Sequence, residues 1–262
     1  MKFLWSRMNK RWLFWAIIIG IIINLLQFLP LNLILSVYPE DSPYTRWLGI
    51  DPFTIFPKIF YLLLPLIASL PASILLKEDL NSGLLFKIKL QRPIRKVICS
   101  YAGLAFCMGA IVIAIPLIIN FLAWFMIVPN IKPDNLINYN IRVASFNTMF
   151  VALYYSHPFV HALIAICFAS FWGGLFAMQV TSTSIWIKNQ FVAVCSGLIL
   201  QILIFLLNSV FYLPDFVSYS PIDFLRESAP SNVSLGVTIS VTLIMIIYCT
   251  VMFLIDEKRL TS

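Results

Sequence analysis

Charge is scarce in this chain. Asp, Glu, Lys and Arg make up 11% of its 262 residues, against about a quarter in ordinary soluble domains. A chain this poor in charge, and 61% hydrophobic, points to an integral membrane protein before any pattern is read. Its polar stretches are too short for a separate soluble catalytic domain, so any large soluble activity must come from a partner. The five cysteines, Cys99, Cys107, Cys167, Cys195 and Cys249, show no CxxC spacing. That removes a disulfide framework or a cysteine metal site, and they read as small buried residues. Histidine occurs only at His157 and His161. Their i, i+4 spacing suits a metal, yet no third ligand is near. Pro158 puts His157 just outside a helix, and the acid of an HExxH motif is missing. The two read instead as an interfacial polar pair. A net charge of +7 comes with no basic face of interleaved aromatics, so nucleic acid is not an expected partner.

What is present is hydrocarbon. Six apolar runs reach the roughly 20 residues needed to cross a bilayer: Leu13–Leu35, Phe56–Leu76, Val97–Val128, Phe159–Ile187, Phe191–Leu213 and Val233–Ile255. The expected fold is therefore all-α, a single six-span membrane domain over residues 1–262. The first run follows Lys2, Arg7, Lys10 and Arg11, is too long for a signal-peptide core and has no small-residue cleavage site, so it is expected to stay as a span. Pro65, Pro71 and Pro116 fall inside spans, where each removes a helix hydrogen bond and is expected to kink the helix. With the N terminus inside, the cytoplasmic segments hold thirteen of the eighteen Lys and Arg residues; this bias predicts that both termini are cytoplasmic. Trp5, Trp12, Trp15 and Trp47 are placed as interfacial anchors. Of the outer segments, Val143–Tyr155 is apolar and aromatic enough for a helix lying on the outer leaflet. Leu213–Asn232, with Pro214, Pro221 and Pro230, reads as a short re-entrant or interfacial element.

Polar groups within the spans are few: Asn24, Gln27, Asn120, His161, Gln179, Gln201 and Asn208. Each is expected to pair helices. Phe171-Trp172-Gly173-Gly174 suits either a close helix approach or a flexible point. Proton-coupled transporters place ionisable groups inside the bilayer, and their near-absence here argues that any transport energy comes from elsewhere.

The charge gathers in one place. Lys77–Lys96, KEDLNSGLLFKIKLQRPIRK, carries six of the eighteen cationic residues. Leu80, Leu84 and Ile88 recur at i, i+4, i+8, one face of a helix, with Lys87 and Lys89 off that stripe. Asn81-Ser82-Gly83 forms a break, and Arg92-Pro93 another, because a residue before proline leaves the helical region. Two readings stand on this pattern: a positive-inside loop contacting anionic lipid, or a docking helix for a cytoplasmic subunit. The acidic pair Glu78-Asp79 favours docking, since a lipid-binding loop gains nothing from acid whereas a docking surface uses both signs for register.

Glu78, Gly83, Pro93 and Arg95, in that order between the second and third spans, resemble the corresponding loop of type-2 ABC exporter permeases. The six spans, the basic segment before the first, the short turn Trp186–Gln190, Ser220-Pro221 and the charged tail Asp256–Arg259 are similar to that family too. The resemblance implies that the loop is an amphipathic coupling helix seated in an ATPase groove, with Glu78, Asp79, Gly83, Leu84, Lys87, Pro93 and Arg95 as coupling residues. It implies two ATPase subunits as partners and a second permease, identical or related. No Walker A or Walker B pattern occurs, so ATP and magnesium would sit on the separate ATPase, and this chain would hold no cofactor or catalytic residue. The implied cargo is hydrophobic or amphipathic: a peptide such as a bacteriocin, a lipid or a drug. Richness in Ile, Asn and Lys hints at an AT-rich bacterium, hence a bacterial cell membrane. Two other classes remain open: a membrane scaffold or sensor that docks a soluble partner without transport, and a small lipid-modifying enzyme using outer-face groups such as His157, Asp134 and Arg142.

Overall fold

The computed structural model describes residues 10–29, 41–91, 93–135, 143 and 146–261. Ten α-helices cover most of this: α1 (Lys10–Gln27), α2 (Pro43–Arg46), α3 (Phe56–Asn81), α4 (Leu84–Gln91), α5 (Ile94–Ile127), α6 (Val151–Ser156), α7 (Pro158–Trp186), α8 (Gln190–Val210), α9 (Pro221–Phe224) and α10 (Leu235–Thr261). Six of them, α1, α3, α5, α7, α8 and α10, are long and apolar enough to cross a membrane. The chain is thus an all-α protein with the makeup of a multi-pass membrane protein.

Local chemistry explains the ends. Proline occupies the first turn of α3, α7 and α9, where its missing N–H costs nothing. Asn189 caps α8 by accepting from the Phe191 backbone N–H at 2.9 Å, the usual service of an N-cap side chain. α3 stops at Gly83, whose φ of +68° supplies the left-handed residue that ends many helices. Pro65, Pro71 and Pro116 all lie inside continuous helices.

α5 and α7 share the most extensive helix contact, and α7 also touches α3, α8 and α10. Close approach of α5 to α7 depends on glycine: a Cβ on Gly109 would stand 2.6 Å from the Gly173 carbonyl oxygen. This is the approach foreseen at Gly173-Gly174. By contrast α8 and α10 bury little of themselves and turn Leu, Ile, Phe and Val side chains outward, as lipid-facing helices do.

Several boundaries move. α1 ends at Gln27 rather than Leu35, and residues 30–40 lie outside the described residues, as do Trp5 and Arg142. α3 runs five residues past Leu76, to Asn81, because Lys77 and Asp79 find buried partners and need not leave the helix. α10 likewise continues past Ile255 to Thr261. Val143–Tyr155 does not form one surface helix: among its described residues only Val151–Ser156 is helical, Phe150 ahead of it sits at φ 56°, and Val143 and Tyr154 are fully buried. Trp47 is no interfacial anchor either: it is fully buried, edge-on to Phe121 with ring centroids 5.5 Å apart. Trp12 and Trp15 are exposed. Cys99, Cys107 and Cys167 are exposed as well, and only Cys249 is buried; a small apolar residue facing lipid needs no core.

Candidate functional site

The basic loop and the C-terminal ends of α3 and α7 meet at one end of the bundle. Gly83 turns the chain from α3 into α4. A Cβ there would meet nothing within 4 Å, so glycine is required by its backbone angle and not by crowding. Of the expected stripe, Leu80, Leu84 and Ile88 are all partly buried, and the fully buried side chain is Leu85, which packs with Leu80 and Ile88 against Leu76, Ile94 and Val97. Gly83 resets the helical phase between Leu80 and the helix that begins at Leu84. Glu78, Lys87, Leu90, Pro93, Arg95 and Lys96 are exposed. Asp79 is not: it is buried, and the Tyr101 hydroxyl on α5 donates to its carboxylate.

Around this loop lies a set of ties invisible to pattern reading. The Lys77 ammonium donates to the Ser184 carbonyl at 3.2 Å and to the Ile187 carbonyl at 2.6 Å. A cation thereby satisfies the unpaired carbonyls at the C terminus of α7 and meets the negative end of its dipole. Asp256 of α10 accepts from the Ser182 hydroxyl and, at 2.6 Å, from the Trp186 indole N–H. Arg259 stacks over the Trp186 ring at 4.2 Å, a cation–π distance. So α3, α7 and α10 are joined by charge-assisted bonds at the end that carries α4. The signal available in sequence was only that Lys77 and Asp256 each open a charged run at the border of an apolar one.

The opposite end is a folded cap built from the other three connections. Gln27 of α1 donates to the Arg46 carbonyl at 2.9 Å and to Asp51 at 2.7 Å, while its carbonyl accepts from Asn120 of α5 at 2.8 Å. Asn24 donates to the Pro116 carbonyl, Gln201 to the Tyr61 carbonyl, and Asn208 accepts from the Tyr219 N–H; the span amides do pair elements. Burial raises the Asp51 carboxyl above its usual range, although Thr54, Gln27 and the Phe53 N–H hold its charged form. Arg46 pairs with Asp41 at 2.5 Å. Residues 220–229 are buried throughout, inserted between the other connections: the Glu227 N–H donates to the Gly49 carbonyl at 2.9 Å, and the Thr148 hydroxyl to the Glu227 carbonyl at 2.7 Å. This buried segment lies within Leu213–Asn232, the stretch expected to hold a short re-entrant or interfacial element.

Arg226 and Glu227 face different cavities. Arg226 lines a polar one with Asp51, Thr54 and Lys58, of about 330 Å³. Glu227 lines an apolar one of about 310 Å³ between α7 and α10, with Met149, His161, Phe168 and Thr238. Three polar atoms of that apolar cavity have no hydrogen-bond partner: Glu227 Oε2, His161 Nδ1 and Thr238 Oγ1. His161 Nε2 lies 2.9 Å from the Met149 carbonyl, which can only accept, so Nε2 carries the proton and Nδ1 of the neutral ring is a bare acceptor. Glu227 Oε2 is 3.7 Å from His161 Nε2, too far for a hydrogen bond. Burial pushes the Glu227 carboxyl up to about 8, against a smaller opposing effect of the Met149 backbone N–H. Glu227 is the residue that sequence reading missed; an acid in a proline-flanked connection looks like any solvated loop acid.

His157 and His161 do not form a pair, since His157 is exposed and His161 buried, and no group of three His, Cys, Asp or Glu side chains able to hold a metal occurs among the described residues. Asp134 is exposed. No protein-family model, curated protein or solved structure matches this chain.

Proposed function

We propose that this chain is the membrane-spanning subunit of an ATP-driven exporter, working with two copies of a separate ATPase and a second permease in a bacterial cell membrane. The observation that carries the reading is α4. It is a short helix entered through a positive-φ glycine, anchored by Leu85 and presenting Lys87 outward beside exposed Glu78, Pro93 and Arg95. Around it, Asp79 is tied to α5 and Lys77 to α7. A force on α4 would therefore reach three spans through bonds that do not depend on lipid. On this reading α4 lies in the cytoplasm with both termini, and the cap faces outward. ATP and magnesium act on the partner. The cargo is hydrophobic or amphipathic, in keeping with spans that expose apolar side chains on most of α8 and α10.

Affinity purification of the full chain from its native host tests this. A co-purifying ATPase with Walker motifs supports it; a purified assembly with no ATPase defeats it and leaves the scaffold reading. Glu78→Lys and Gly83→Val should then release the ATPase while the chain still inserts. Retention of the ATPase by both variants would move the docking site away from α4.

A further inference from the structure

The apolar cavity between α7 and α10 has a floor and a mouth of opposite character. His161, Glu227 and Thr238 are at least 96% buried, whereas Phe150, Ile239 and Leu243 on its rim are about half exposed. The rim belongs to lipid-facing surface, so the cavity opens sideways, towards the bilayer. At about 310 Å³ it sits at the small end of ligand pockets, large enough for a head group and the first part of a chain, too small for a folded peptide.

Its polar atoms lack partners. His161 Nδ1 only accepts, while the Thr238 hydroxyl and the protonated Glu227 carboxyl do either, and Glu227 only accepts once ionised. An unmet polar atom in such surroundings is costly, and a cationic donor would meet the cavity's acceptors while taking the place of the Glu227 proton. We propose that this cavity binds the protonated amine head of an alkylammonium amphiphile, entering between α7 and α10 with its chain left against Ile239 and Leu243. An ammonium brings three N–H donors and one positive charge. It converts the buried carboxyl from a poorly solvated group into half of an ion pair, its proton leaving to water. A fatty acid or a fatty alcohol brings no positive charge to pair with the Glu227 carboxylate, and at most one donor. This assignment is independent of the exporter reading, since it concerns the isolated chain and the end of the bundle away from α4.

The test uses the purified full chain in a neutral detergent and three photoreactive probes of equal length: an alkylamine, an alkanol and an alkanoate. The amine is expected to label the Thr238–Leu243 stretch about tenfold more than the other two, and Glu227→Gln to remove that preference. Ile239→Trp, on the exposed rim, should block the mouth without disturbing the fold, which keeps the test decisive if Glu227→Gln fails to fold. Competition by unlabelled dodecylamine identifies a free amphiphile as the ligand, and competition by phosphatidylethanolamine identifies a lipid head; either supports the site. Equal labelling by all three probes, labelling undiminished in Ile239→Trp, or failure of both competitors would reduce the cavity to a lipid-filled groove and overturn the proposal.

Discussion

Replacing Gly109 by alanine is expected to force α5 and α7 apart. The added Cβ would stand 2.6 Å from the Gly173 carbonyl oxygen and 2.6 Å from the Ala177 Cβ, where ordinary contact begins at 3.4 Å. The shortfall is about 0.8 Å, and neither the Gly173 carbonyl nor the Ala177 Cβ can rotate away. Overpacking of this kind costs about 1–3 kcal/mol, while Gly to Ala in a helix returns about 1 kcal/mol. The net runs from about zero to a loss of roughly 2 kcal/mol, or up to about 8 °C in midpoint for a chain of this size. Gly236→Ala isolates the packing contribution, because its Cβ would find nothing nearer than the Ser234 hydroxyl at 3.9 Å and so gains only the helix preference. Gly173→Ala should destabilise in the same direction as Gly109→Ala, since its Cβ would meet the buried, β-branched Ile113 at 2.6 Å and the Gly109 carbonyl oxygen at 3.0 Å. Thermal unfolding of the three purified variants in one detergent reads the series. If Gly109→Ala melts with Gly236→Ala, the two helices are not held at backbone contact and the reasoning fails.

Lys77→Met keeps the buried stem but leaves the Ser184 and Ile187 carbonyls unpaired, at a cost of about 1–3 kcal/mol; Lys87→Met, on an exposed position, should leave the melting midpoint unchanged. Stability should fall as pH rises from 4.5 to about 8, because over that window the folded chain keeps a proton on Glu227 that the unfolded chain has released. The groups facing that carboxyl are His161 at 3.7 Å and the Met149 backbone N–H, with Tyr61 coupled to it electrostatically; Glu227→Gln should flatten the slope, measured by melting across pH, and an unchanged slope would locate the proton elsewhere. For orientation, Leu90→Cys, at 89% exposure, and Ile131→Cys, at 47%, introduced into a chain without its native cysteines, should label from opposite sides of intact cells. Labelling of Leu90→Cys from outside would invert the proposed topology.

The positions of the spans were readable because the bilayer imposes them. About 20 apolar residues per crossing leave a mark in composition that no later packing can erase, and α5, α7 and α8 begin and end within three residues of the runs read from sequence. The break at Gly83 was readable for a similar reason, since a short polar cluster around glycine interrupts periodicity locally. The face of α4 was only partly readable. Leu85 and not Leu84 is fully buried because the left-handed turn changes helical phase, and phase is a three-dimensional quantity. The cap was hidden further still. Its polar groups are met by partners far along the chain, Thr148 by the Glu227 carbonyl, Asn147 by the Ala229 carbonyl and Leu48 by Asn120. Nothing local distinguishes such residues from solvated ones. The sequence alone therefore decided that this chain has six apolar runs of membrane-spanning length and a third of its cations in one loop. Tertiary structure alone decided that Lys77, Asp79 and Asp256 lock the spans around that loop, and that Glu227 is buried in an apolar cavity, because burial and pairing of a charge depend on what the rest of the chain brings to it.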